Sequence, residues 1–211
     1  MMQEPFPVLK YLGICTRDGS VPVLPAKFLG GSAPRLQEII LSRIPFPALP
    51  TLLLSTSDLV SLGLYNIPPS GQISPGAMVV GLAALPRLKT LDFGFQSATP
   101  RPDRSDHAPP VTRTDLPALD HFQFQGASEY LDGFVAQIDA PQLDRIEIRY
   151  LNQLVDFQVT QLYKFINRSV GPKLTLFRYA QITFYGNAVS FKTSHHANDS
   201  YAPPARITVI C

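Results

Sequence analysis

The sequence predicts an α/β fold, an irregular solenoid with one parallel sheet and short helices or loops on its outer side. Three observations carry that expectation. One phrase recurs six times: a leucine, two variable residues, an apolar residue, one variable residue and a second apolar residue. Its leading leucines are Leu9, Leu36, Leu59, Leu88, Leu119 and Leu143. The copies follow at intervals of 23 to 31 residues, the spacing at which each repeat supplies one supersecondary unit of a stack. A proline stands two residues before most leading leucines, at Pro7, Pro34, Pro86, Pro117 and Pro141. There it ends a returning segment and directs the chain into a strand.

PVLKYLGI at 7–14 reads as the first unit and APRLQEIIL at 33–41 as the second, with Gly30 and Gly31 making a turn between them. The return after the second unit holds Pro45, Pro47 and Pro50 and is expected to be irregular and poor in helix. In DLVSLGLYNI at 58–67, Leu62 and Leu64 alternate with Ser61, Gly63 and Tyr65, as a strand with one buried face requires. PGAMVVGLAALP at 75–86 predicts a short helix with Met78, Val79, Leu82 and Leu85 on its inner side, closed by Pro86. The fourth unit is LPRLKTLDF at 85–93. Polar, proline-rich residues 98–115 then read as a long exposed loop.

The fifth unit, LPALDHFQF at 116–124, leads to a second helix within 127–141. Ser128 is its candidate N-cap. Leu131 stands where a capping box would need Glu, and Tyr130, Leu131, Phe134, Val135 and Ile138 form its apolar stripe. APQLDRIEI at 140–148 is the sixth unit, and 160–169 predicts a third helix through Leu162, Phe165 and Ile166. Regular repeats thus span about 7–151 of a single domain, 1–211. Divergent strands at 180–184, 188–192 and 206–210 complete or cap the sheet within 152–211, with a loop at 195–204.

With 18 basic and 16 acidic residues among 211, the net charge of +2 argues against a dedicated nucleic-acid partner. No apolar run is long enough to span a bilayer, and the first residues carry prolines and a glutamate, unlike a signal peptide. Two cysteines, Cys15 and Cys211, make no disulfide framework. The expectation is a cytoplasmic or nuclear protein with no membrane contact, in which the triplets at Asn167 and Asn198 are chance matches to a glycosylation site.

These features resemble a leucine-rich repeat domain, and more closely the divergent repeat region of fungal F-box proteins. The residues that carry the likeness are LPALDHFQF at 116–124, GASEYLDGFVAQIDAPQLDRIEI at 126–148 and NQLVDFQVTQLYKFI at 152–166. The resemblance covers roughly 7–191 and implies a target-recognition role in a ubiquitin-ligase adaptor. In such proteins an F-box precedes the repeats. Here the first repeat leucine is already residue 9, so the adaptor role is expected only if an F-box is missing upstream. The alternative is an isolated or truncated repeat fragment without its own activity. The asparagine that ordinary repeats place after the strand is replaced by Ile44, Ile67, Gln96, Ala127 and Leu151, with Asn66 one place early.

No catalytic, metal or cofactor motif stands out. His107, His121, His195 and His196 are the histidines, and His195 and His196 with Asp199 lack the spacing of a metal site. Phosphate loops, nucleophile elbows and HExxH helices are missing. The expectation is therefore a non-enzymatic protein without a cofactor. Asp120 and His121 are neighbours on a strand and face apart; a polar cluster at His121 and Glu147 is the one enzymatic arrangement the repeats could hide. Function falls to the outward columns of the sheet. These read Tyr11, Glu38, Ser61, Thr90, His121, Arg145; then Gly13, Ile40, Gly63, Asp92, Gln123, Glu147; then Cys15, Ser42, Tyr65, Gly94, Gln125, Arg149. Tyr65, Asp92, His121, Gln123, Arg145 and Arg149 are the candidate contacts for a protein or peptide partner, because they combine aromatic area with hydrogen-bonding groups.

Overall fold

Every leading leucine closes a four-residue turn. Its amide donates to the carbonyl three residues back: Leu9 to Phe6, Leu36 to Ala33, Leu59 to Thr56, Leu88 to Leu85, Leu119 to Leu116 and Leu143 to Ala140, at 3.0–3.2 Å. Pro7, Pro34, Pro86, Pro117 and Pro141 occupy the second position of these turns. Proline's fixed φ suits that position, and its missing N–H leaves no bond unmade. The prolines thus shape the entry to each strand rather than stop a helix. The helix before Pro86 has already ended at Leu82.

This computed structural model describes residues 6–16, 23–25, 27–97, 112–151, 160–170, 179–185, 188–194 and 206–210; for 170, 179–185, 188, 191–194 and 206–210 it describes the backbone alone. After each turn comes a strand: β1 (Tyr11–Cys15), β2 (Glu38–Ser42), β3 (Ser61–Ile67), β4 (Thr90–Phe95), β5 (His121–Gly126) and β6 (Arg145–Leu151). These six pair in parallel, each with the next. At every step one carbonyl receives two successive amides of the following unit. Lys10 accepts from Gln37 and Glu38, Gln37 from Val60 and Ser61, Val60 from Lys89 and Thr90, Lys89 from Asp120 and His121, and Asp120 from Asp144 and Arg145. The units therefore stack with the same offset five times over.

The chain continues through β7 (Tyr179–Tyr185), β8 (Ala188–Ser194) and β9 (Arg206–Ile210). Among the described residues the sheet has nine strands in the order β1-β2-β3-β4-β5-β6-β8-β7-β9. The expected single parallel sheet is thus only mostly parallel, because β8 runs antiparallel to both β6 and β7. Two residues separate β7 from β8 in sequence, and a parallel pair needs a crossover of about a dozen residues or more. The result is a mixed α/β fold whose sheet does not close into a barrel.

Alternation along the strands sends Leu62, Leu64, Leu91, Phe93, Phe122, Phe124, Ile146 and Ile148 into one core, each at most 3% exposed. Behind them lie α1 (Leu49–Leu53), α2 (Pro75–Leu82), α3 (Ser128–Val135) and α4 (Thr160–Val170), each packed on the next. Four expectations change here. A short helix, α1, does form in the proline-rich return, because Pro50 sits in its first turn, where no amide bond is lost. Ser128 is the first helical residue of α3 and not its cap; Ala127 holds the cap position without a side-chain bond. Ile138 is fully buried, but from a strand: Ile138–Asp139 pairs with Thr114–Asp115. The end of the expected 98–115 loop is therefore ordered, while 98–111 and the expected loop at 195–204 lie outside the described residues.

Side-chain bonds pin the last helix. The Asp132 carboxylate accepts the Leu162 amide at 3.3 Å, and Arg168 donates to Asp139 at 2.8 Å and to the Val135 carbonyl at 3.2 Å. Burial raises the Asp132 carboxyl above its ordinary range, and the amides of Leu162 and Gln161 pull the other way.

Candidate functional site on the outward sheet face

The parity that buries the apolar residues turns their neighbours outward. Register holds the first row in line across six strands: Tyr11, Glu38, Ser61, Thr90, His121 and Arg145. The second row, Gly13, Ile40, Gly63, Asp92, Gln123 and Glu147, is also in line. The third breaks between Tyr65 and Gly94, which are not register partners. There β3 carries one extra residue: Leu64 faces Phe93, but Ile67 faces Phe95. Asn66 takes up the excess at φ 52°, a left-handed conformation that asparagine tolerates better than most residues. That is the role of the asparagine one place early.

Three of the candidate residues meet. The Tyr65 hydroxyl donates to Asp92 Oδ2 at 3.0 Å. Asp92 Oδ1 lies 3.3 Å from His121 Nε2, near enough for an ion pair when His121 is protonated. The alignment does not make a hydrogen bond, so Oδ1 is buried with no hydrogen-bond partner among the described residues. Burial, then the Asp92 charge and its hydrogen bond, then the Glu38 charge push the Tyr65 hydroxyl up to about 12.

Glycine makes this geometry possible. The Tyr65 ring folds back along its own strand over Gly63, with Cε2 only 2.8 Å from where a Cβ would stand. Gly63 is the register partner of Asp92, so the folded ring delivers its hydroxyl to the next strand. Tyr11 repeats the arrangement over Gly13, its Oη 2.7 Å from the Cβ position. Ile40 stands between the two glycines in register.

The other candidates lie farther along the rows. Gln123 is half-buried between Asp92 and Glu147 in register. Arg145 Nη2 approaches Glu147 Oε2 at 3.6 Å, and Arg149 is exposed on the same strand. His121 thus meets Asp92 while Glu147 meets Arg145. Tyr11, Glu38 and Glu147 belong to the same surface but were not among the six candidates; their places in the outward columns were the available signal.

Among the described residues no three His, Cys, Asp or Glu side chains come together to hold a metal ion, and no helix is long and apolar enough to cross a membrane. His107, His195, His196, Asp199, Asn198 and Cys211 lie outside the described residues. A small crevice lined by Leu41, Phe46, Leu64 and Ile73 is wholly apolar and offers no reacting group. No family model matches the chain, and neither curated proteins nor solved structures give a match.

Proposed function

We propose that the chain is a non-enzymatic protein-interaction domain, built as an irregular leucine-rich-repeat-like solenoid, whose outward sheet face takes a protein or peptide partner. The observation that carries this reading is the repeated unit of turn, shared carbonyl and parallel strand. It buries one face, with only Ile14 on the edge strand partly exposed, and lines up a second, chemically varied face across six strands. Aromatic area, carboxylates and arginines lie close together on that face, as protein interfaces favour. In its more specific form, the domain recognises targets for an F-box-type ubiquitin-ligase adaptor in the cytoplasm or nucleus. The likeness of residues 116–166 to fungal F-box repeat regions supports that form.

The test compares partners recovered by the wild-type chain and by a Tyr65/His121/Arg145 triple alanine variant that thermal melting shows to remain folded. At least one partner should depend on the three side chains. Equal recovery of every partner would remove this face as the binding site.

A further inference from the structure

The two ends of the outward face differ in chemistry. On β1–β4 the second row presents the Tyr11 ring, Ile40, the Tyr65 ring and Asp92 side by side. Each ring folds along its strand over a glycine, the Tyr65 ring with Cε2, Cζ and Oη and the Tyr11 ring with Cε1, Cζ and Oη nearest the space a Cβ would fill, and neither ring is buried. Tyr11 is 55% exposed. Glu38 stands in register beside Tyr11, and its charge reaches the Tyr65 hydroxyl. Asp92 holds that hydroxyl on the other side. Aromatic surface between two carboxylates suits a cation: the rings and the carboxylates attract the same charge, and the rings can cover the apolar stem of a lysine or arginine.

We infer that the Tyr11–Ile40–Tyr65 platform, flanked by Glu38 and Asp92, seats an arginine or lysine side chain of the protein partner. This rests on the protein-binding reading above and names the chemistry of its anchor. The complementarity is local. Arginines appear on this face at β6, three strand steps beyond β3, where Arg145 and Arg149 would meet other parts of the partner.

A library of random twelve-residue peptides displayed on phage, selected on the immobilised full chain, tests the inference. Enriched peptides should share an arginine or lysine. Their binding should fall roughly two- to thirtyfold when Tyr65→Leu keeps apolar bulk but removes the ring, the range expected for a cation–π contact between exposed and desolvated limits. Tyr65→Phe keeps the ring and should retain most binding. Gly63→Ala should weaken binding with Tyr65 intact, because the new Cβ displaces the ring. Glu38→Gln should weaken it without touching the aromatic platform. Thermal melts of each variant separate loss of fold from loss of contact. Enriched peptides without a basic residue, or peptides that bind Tyr65→Leu as well as wild type, would overturn the inference while leaving a protein-binding face in place. Acidic peptides lost only on Arg149→Glu would do the same. No enrichment at all would count against both readings.

Discussion

The first three strands and the next three use one backbone plan with opposite allocations of side chains. Beneath β1–β3 the inward strand residues Leu12, Ile39, Leu41, Leu62 and Leu64 are aliphatic and meet one buried ring pair, Phe28 and Phe46, 5.8 Å apart, while the aromatic residues Tyr11 and Tyr65 lie on the outward face. Beneath β4 and β5 the core is aromatic. Phe93 touches Phe95, Phe122, Phe124, Tyr130 and Phe134 with ring centres 5.2–6.2 Å apart. The outward face above it and on β6 is polar, with Asp92, His121, Gln123, Arg145 and Glu147. Large rings fit beneath β4 and β5 because α3 brings Tyr130 and Phe134 to interleave with them. On the outward face of β1–β3 each ring folds over a glycine two residues away. The aromatic core and the outward aromatic rings therefore stand at different places along the same sheet.

The largest effect should come from the aromatic core. Phe122→Ala should cost about 3–5 kcal/mol in chemical denaturation, because burial is lost and the surrounding rings cannot close the cavity. If Leu62→Ala on the aliphatic side cost clearly more, the contrast would be broken.

The Tyr65–Asp92 bond is the next largest. A double-mutant cycle of Tyr65→Phe and Asp92→Asn should give a coupling of about 0.5–1.5 kcal/mol, since the pair is only part-buried. Burial of the Tyr65 hydroxyl, reinforced by Asp92, also sets a pH dependence. The folded hydroxyl titrates near 12 and the ordinary one near 10, so the unfolded chain loses its proton first. The stabilisation is intact below pH 10 and is lost as pH rises from 10 through about 12. Wild type should lose more stability across that window than Tyr65→Phe. Tyr150, which burial also pushes up, is present in both and cancels. Parallel alkaline curves would mean the hydroxyl is neither buried nor bonded to Asp92.

A smaller gain should come from Ser57→Pro. Ser57 is the second residue of the one turn that lacks proline, yet Leu59 N to Thr56 O, and Thr56 N to Leu53 O before it, repeat the bonds that flank Pro86. The substitution should stabilise by about 0.4–1 kcal/mol by restricting the unfolded chain. A lowered denaturation midpoint would show that this turn differs from its sisters.

The smallest effect belongs to Gln123→Ala, expected within about 0.5 kcal/mol because the side chain stands on the outward face. Set against its neighbour Phe122, it tests parity directly. Similar losses at the two positions would exchange the buried and outward rows.

Much of this was legible in the chain of residues alone. Leucine spacing and strict alternation placed Leu91, Phe93, Phe122, Phe124, Ile146 and Ile148 in the core, and two of the three outward columns in unbroken register. Both follow from neighbouring residues, since a strand turns every second side chain to the same face whatever else the protein does. What lay beyond reach depended on partners distant in sequence. Residue order did not reveal that β3 would gain a residue at Asn66, that β8 would insert beside β6, or that Ile138 would be buried from a strand. Nor did it show that Tyr65 would lie down over Gly63 and bond to Asp92, 27 residues away. Those outcomes are set by the spacing and register of strands already stacked, and by the room a missing Cβ leaves between them. Only the assembled sheet supplies these.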